Sequence, residues 1–146
     1  MAARPAPTSA AVLLVDDDAG DVLMIQEALL QCRARCRLYQ VPDGEQALQF
    51  LRREPGFVQA PRPALILLDL RMPGSTGLDT LAAIRADDGL RDIPVVVLST
   101  SRSPEDVRGA YELDASAYIV KPADFDGLAA IVREIDTFIG MAGGGS

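Results

Sequence analysis

Three consecutive carboxylates, Asp16, Asp17 and Asp18, follow the apolar run Ala11 to Val15, and a fourth, Asp69, follows the apolar run Ala64 to Leu68. Ser99 stands after Val95 to Leu98, and Lys121 after Ala117 to Val120. Brought together, these groups would form an acidic pocket with one hydroxyl and one ammonium. Carboxylates held close repel one another, so such a pocket persists only if it is protonated or neutralised by a cation. Its donors are oxygens and the chain contains no histidine, which favours Mg²⁺ over zinc. Asp69 could then serve as a nucleophile. A carboxylate accepts a phosphoryl group as an acyl phosphate when cations screen its charge and donors hold the equatorial oxygens. Mg²⁺, Lys121 and Ser99 could do that. Taken singly, each is better read plainly, Asp69 as the cap of a strand and Lys121 as the partner in an ordinary salt bridge. The weight lies in their coincidence at successive run ends.

For these residues to meet, the apolar runs must lie side by side. The four runs are short, continuous and mostly rich in Val, Ile or Leu, as strands buried on both faces are. A weaker run, Cys36 to Val41, could supply a fifth strand. Segments of helical period fall between them: Val22, Ile25 and Leu29; Ala47, Leu48 and Leu51; Leu78, Leu81 and Ile84; Val107, Ala110 and Tyr111. A last helix carries Leu128, Ile131, Val132, Ile135, Phe138 and Ile139 from a start near Asp124. Asp43 before Gln46 reads as a capping-box variant, and Ser103-Pro104 as an N-cap followed by proline at the first helical position. The order is (βα)5, an α/β chain. Strict alternation predicts a doubly wound, five-stranded parallel sheet with right-handed crossovers and helices on both faces. Binding crevices in such sheets open at the carboxyl ends of the strands, where the strand order reverses.

Composition narrows the alternatives. A length of 146 residues suits one domain with a real core. No apolar run approaches the roughly 20 residues that span a bilayer, so no membrane anchor is expected. A net charge of -7 repels a phosphate backbone, which argues against direct nucleic-acid binding. Without histidine the commonest general base and metal ligand are missing. Cys32 and Cys36 lack the second pair that a disulfide framework or a four-ligand zinc site needs. Residues 1–10 read as a disordered arm without the apolar stretch of a signal peptide, 11–140 as the folded domain and 141–146 as a flexible glycine-rich tail. The expected location is cytoplasmic.

Across residues 11 to 139 the sequence closely resembles the receiver domain of two-component response regulators, including the chemotaxis regulators. Leu13-Leu14-Val15-Asp16-Asp17-Asp18 is similar to the acidic end of the first strand, and Leu67-Leu68-Asp69-Leu70-Arg71-Met72-Pro73-Gly74 to the phosphoacceptor segment. Val97-Leu98-Ser99-Thr100 matches the switch-hydroxyl region, and Tyr118-Ile119-Val120-Lys121-Pro122 the lysine-proline end. The resemblance implies a flavodoxin-like sheet in order 2-1-3-4-5. It implies that Asp69 is phosphorylated by a sensor histidine kinase, and that Asp16, Asp17, Asp69 and the backbone carbonyl of Arg71 hold Mg²⁺. Lys121 would bind the phosphoryl group. Ser99 would turn to it, and Tyr118 would rotate in concert to remodel the face of helix 4, strand 5 and helix 5. The Lys121-Pro122 bond would be cis. The implied protein is a single-domain phosphoacceptor with self-phosphorylation and autodephosphorylation chemistry, and not a conventional enzyme.

Asp18-Ala19-Gly20-Asp21-Val22, the long connection from Arg52 to Pro63, and Leu98-Ser99-Thr100-Ser101 resemble a stand-alone subgroup serving phytochrome-like kinases. There are departures from the family pattern. Ser99 stands where threonine is more common, keeping the hydroxyl without the methyl that biases its rotamer. Ser75-Thr76 replaces a frequent apolar-acidic pair between Gly74 and Gly77. Asp18 fits a cap of helix 1 better than a metal ligand. Arg71 and Ser101, each two residues past a key position, could screen or orient the water that hydrolyses an acyl phosphate. Helix 5 has a wide apolar face, including Ala129 and Ala130, compatible with a homodimer. A phosphorylation-independent interaction module is the alternative. An aspartyl phosphatase would want an acid where Arg71 stands, and a dinucleotide enzyme a Gly-rich turn where Asp16-Asp17-Asp18-Ala19-Gly20 stands.

Overall fold

The computed structural model describes residues 10–31, 36–72, 75–121 and 125–144. Five strands, β1 (Ala10–Val15), β2 (Cys36–Val41), β3 (Leu65–Leu68), β4 (Val95–Ser99) and β5 (Ala117–Val120), alternate with five helices. The helices are α1 (Ala19–Leu30), α2 (Gly44–Leu51), α3 (Gly77–Ala86), α4 (Pro104–Glu112) and α5 (Phe125–Gly144). All strand pairs are parallel and the sheet runs β2-β1-β3-β4-β5. This is the flavodoxin-like order 2-1-3-4-5, with the direction of winding reversing between β1 and β3.

The two-residue period of a strand sends alternate side chains into two separate cores. Leu13, Val15, Ile66, Leu68, Val95 and Val97 pack with Ala47, Phe50, Leu81, Ile84 and Ala110 of α2, α3 and α4. Val12, Leu14, Leu65, Leu67, Val96 and Leu98 pack with Ile25 and Ala28 of α1 and Ile131, Ile135 and Ile139 of α5. Burial on both faces is why these strands read as continuous apolar runs. The helix starts lie where the capping residues put them, at Asp18, Asp43, Thr76 and Ser103.

A two-residue antiparallel hairpin, Arg71–Met72 with Ser75–Thr76, joins β3 to α3 and is absent from the sequence expectation. Such a pair is too short to leave a periodic signature. At the C-terminal end α5 continues to Gly144, past the expected domain limit at 140 and into the expected tail. Glycine is a poor helix former, but extending an existing helix adds one hydrogen bond per residue fixed, and propagation carries it through. At the other end β1 takes in Ala10, the last residue of the expected arm. Residues 1–9, Cys32, Gly74, the Lys121–Pro122 peptide, Asp124 and residues 145–146 lie outside the described residues. Among the described residues no helix is long and apolar enough to cross a membrane.

Candidate functional site

The parallel ladders continue one hydrogen bond past three of the strands, and that step delivers the site residues. Beyond β1 the Asp16 amide donates to the Val41 carbonyl (3.0 Å), drawing Asp16 into the interior with no exposed surface. Beyond β3 the Asp69 amide donates to the Val15 carbonyl (3.0 Å) and beyond β5 the Lys121 amide donates to the Ser99 carbonyl (2.8 Å). Asp69 is buried as well, and its Oδ1 accepts from the Arg71 amide (3.1 Å), which places Arg71 beside the cluster.

Asp16 also shapes the following turn. Its Oδ1 accepts from the Asp18 amide (2.9 Å), and its carbonyl accepts from Gln40 Nε2 (2.6 Å). Asp18 then caps α1, its Oδ2 accepting from the Asp21 amide (2.9 Å), as its type and position predict. Asp17 remains exposed at the rim. Carboxylate oxygens of Asp16, Asp17 and Asp69 lie within 4.8 Å of one another. Lys121 Nζ closes the cluster from β5, at 3.1 Å from Asp69 Oδ2 and 3.3 Å from Asp16 Oδ2, and it also ion-pairs with Asp21.

Ser99, the last residue of β4, has no exposed surface. Its hydroxyl is turned to its own loop, Oγ accepting from the Ser101 amide (3.1 Å). Ser101 gathers further bonds. Its carbonyl accepts from the Tyr118 hydroxyl (2.9 Å); its Oγ donates to Asp106 Oδ2 (2.5 Å) and accepts from the Ser103 amide (3.2 Å). Tyr118 is half-buried on β5, its amide donating to the Tyr111 hydroxyl of α4 (3.1 Å). Ser99 and Tyr118 are therefore joined through one residue of the β4–α4 loop.

The charge balance of the cluster is uneven. Burial pushes the Asp16 carboxyl up to about 7, reinforced by a hydrogen bond shared with Asp21 and only partly opposed by the Asp18 amide and Lys121. Burial would also raise Asp21, but its bonds with Asp16 and Lys121 prevail and hold it below the ordinary carboxylate value. For Lys121, burial acts to lower the ammonium's pKa, and the carboxylates of Asp21, Asp69 and Asp16 outweigh it to give a raised value. A set of hard oxygen donors in which one buried carboxylate resists ionisation fits a divalent cation, whose charge would hold that carboxylate ionised.

A sequence model of the family described as "Response regulator receiver domain" matches residues 12–133. The chain belongs to the response regulator receiver domain family. Response regulator Rcp1 of Synechocystis sp. is 38% identical over 127 residues, covering 87% of this chain and 86% of its own. The phosphorylated cyanobacterial phytochrome response regulator RcpA superposes with a TM-score of 0.82 at 40% identity, over 90% of this chain and 94% of that one. The Mn(2+)-bound form of Rcp1 superposes with a TM-score of 0.80 at 37% identity, over 88% of this chain and 93% of that one. The chain is thus a receiver domain related to phytochrome response regulators.

In this receiver domain the residues singled out from the sequence fall into two groups. Asp16, Asp17, Asp69 and Lys121 meet in one cluster, with Arg71 bonded to it through its amide. Ser99 and Tyr118 meet through Ser101 instead. Two contributors went unread. Gln40 holds the Asp16 carbonyl from the neighbouring strand, a contact that only the β1–β2 register reveals. Asp21 reaches Lys121 from the first turn of α1, where an acid reads simply as a favourable charge at a helix N-terminus. The spacing Asp18-x-x-Asp21, that of a capping box, was the available signal.

Proposed function

We propose that this receiver domain is the phosphoacceptor of a two-component phosphorelay, and that it takes its phosphoryl group from the phosphohistidine of a phytochrome-like sensor histidine kinase. The observation that carries this reading is the placement of Lys121 Nζ 3.1 Å from Asp69 Oδ2, inside a cluster that also holds Asp16 and Asp17. An Asp69 oxygen attacks phosphorus, the phosphorus–nitrogen bond breaks, and the donor imidazole leaves with the electron pair. Asp16, Asp17, Asp69 and the Arg71 backbone carbonyl would hold Mg²⁺. When bound, the ion supplies positive charge against the equatorial oxygens of the transferring group.

The chain's own groups do the rest. Lys121 presents a fixed ammonium to the phosphoryl oxygens. Ser99 exchanges the Ser101 amide for a phosphoryl oxygen, and Tyr118 follows through its bond to Ser101. The product is a signalling state that binds partners differently and decays by autodephosphorylation. Sensor and target are met in the cytoplasm, and a homodimer would pack on α5 beside its buried residues, at Ala129 and Ala130. Family membership supports the reading, as do a relative named as a phosphorylated phytochrome response regulator and a response regulator in a Mn(2+)-bound form.

The test is intact mass after incubation with acetyl phosphate and Mg²⁺. One added phosphoryl group is expected, absent from Asp69→Asn and from a metal-free control. Labelling that persists in Asp69→Asn moves the acceptor elsewhere. If neither acetyl phosphate nor a cognate kinase labels the wild type under rapid acid quench, a phosphorylation-independent interaction module becomes the better description.

A further inference from the structure

Asp21 occupies the third position of α1, where an acid ordinarily bonds back to the amide of the N-cap residue. Here the Asp18 amide is taken by Asp16 Oδ1 (2.9 Å). The Asp21 carboxylate is thereby left to ion-pair with Lys121 from β5, in a setting where the two side chains are 19% and 10% exposed. Its backbone is held in place, since the Asp21 amide donates to the capping Asp18. Two elements remote in sequence are joined at a point adjoining the acidic cluster.

An ammonium has three N–H donors, and Lys121 faces three carboxylates, those of Asp16, Asp21 and Asp69. Asp16 and Asp69 belong to the set of oxygens that fits a cation; Asp21 does not. If Asp16 turned to a cation and Asp69 became an acyl phosphate, two donors would be released for phosphoryl oxygens. The third would keep its carboxylate. We propose that Asp21 is the positioning residue of Lys121, anchoring the ammonium over Asp69 while its other two partners change. This inference rests on the phosphoacceptor reading above and adds to it a residue with no contact to the reacting atoms.

Lys121 is the chain's single lysine, so ¹⁵N-lysine labelling gives one ammonium resonance. The experiment compares wild type, Asp21→Asn and Asp21→Ala for that resonance, for Mg²⁺ affinity, and for affinity toward beryllofluoride in the presence of Mg²⁺, with urea unfolding to establish that each variant is folded. Loss of a charge-assisted bond predicts about tenfold weaker beryllofluoride binding in Asp21→Asn and at least as much in Asp21→Ala. With all titrations at about pH 8.5, where Asp16 is ionised in every variant, affinity for Mg²⁺ alone should change by less than about threefold, the charge lost being neutralised by Lys121 in the wild type. The ammonium resonance should broaden as exchange with water quickens.

Beryllofluoride binding as tight as in the wild type, or tighter, overturns the anchoring role whatever the resonance does. An equal loss of Mg²⁺ and beryllofluoride affinity overturns it too, since that would mark a general disturbance of the site. If the wild type itself neither binds beryllofluoride nor gains a phosphoryl group, the phosphoacceptor reading fails first and this inference falls with it.

Discussion

Asp16 and Asp21 sit on the same ammonium, which lowers both, yet they shift in opposite directions, because burial prevails at Asp16 while the bonds with Asp16 and Lys121 prevail over burial at Asp21. The raised Asp16 carboxyl stabilises the fold fully below the ordinary value of 3.8, and that stabilisation is lost as pH rises through about 7. Asp21, held below 3.8, contributes stability that is present above 3.8 and lost only as pH falls through its own lowered value. The metal-free protein should therefore weaken toward neutral pH relative to Asp16→Asn, which keeps the side-chain shape without the ionisation. Binding of Mg²⁺ must take the proton off Asp16, so its affinity should rise by up to about tenfold per pH unit as pH approaches 7 and then level. Urea unfolding and Mg²⁺ titration between pH 5 and 8 check both, and a wild-type affinity that does not vary with pH would remove Asp16 from the metal set. Asp16, Asp69 and Lys121 were legible in the sequence because each interrupts an apolar run. Asp21 was not, because nothing local shows that its usual amide partner is already taken.

At the scale of elements, the first residue of α3, next to the hairpin after β3, lies against the backbone of Asp69 and Leu70. A Cβ added at Gly77 would lie 2.3 Å from the Asp69 carbonyl oxygen and 2.7 Å from Leu70 Cα, while the Gly77 amide donates to the Leu70 carbonyl (3.0 Å). Both contacts are with backbone, so no side chain can swing away. Gly77→Ala should lower stability by about 1–3 kcal/mol and slow acetyl-phosphate labelling, because relief of the clash must move Asp69 or α3. Denaturant unfolding and initial labelling rates measure the two effects. Unchanged values in both would show that the approach is looser than these distances require. Thr76, next to it, caps α3 by accepting from the Asp79 amide (3.3 Å), so Thr76→Ala should cost about 1 kcal/mol through the helix start alone and leave labelling at its wild-type rate. The five long strands and five helices were legible from period and capping residues, since buried parallel strands and amphipathic helices repeat over several residues. The hairpin was not, being set by a close backbone approach between segments that a sequence pattern does not record.

Across the whole molecule, Ser101 bonds Ser99 at the end of β4 to the start of α4 and to Tyr118 of β5, and all of its polar atoms are engaged. Its amide meets Ser99, its carbonyl Tyr118, and its hydroxyl Asp106 and the Ser103 amide at the start of α4. If Ser99 turned toward a phosphoryl group, as proposed, the Ser101 amide would lose its acceptor at a buried position, where an unpaired donor costs about 1–3 kcal/mol. The loop would then have to shift to restore the bond, carrying Tyr118 and the α4 start with it. The hydrogen bonds that would carry this movement stop at α4 and β5: α2 and α3 share an apolar core with α4, and among the described residues neither is bonded to Ser101. Addition of beryllofluoride and Mg²⁺ should change hydrogen exchange in peptides spanning residues 99–121, apart from protection of the phosphoacceptor segment itself, and leave α2 as it was. Tyr118→Phe cuts the tether at the hydroxyl and nothing else, so it should bind beryllofluoride with wild-type affinity while the change in β5 shrinks and that at the start of α4 remains. A full β5 response in Tyr118→Phe would mean that the signal reaches that strand by another route, the Lys121 amide bonded to the Ser99 carbonyl being the next connection in line (2.8 Å).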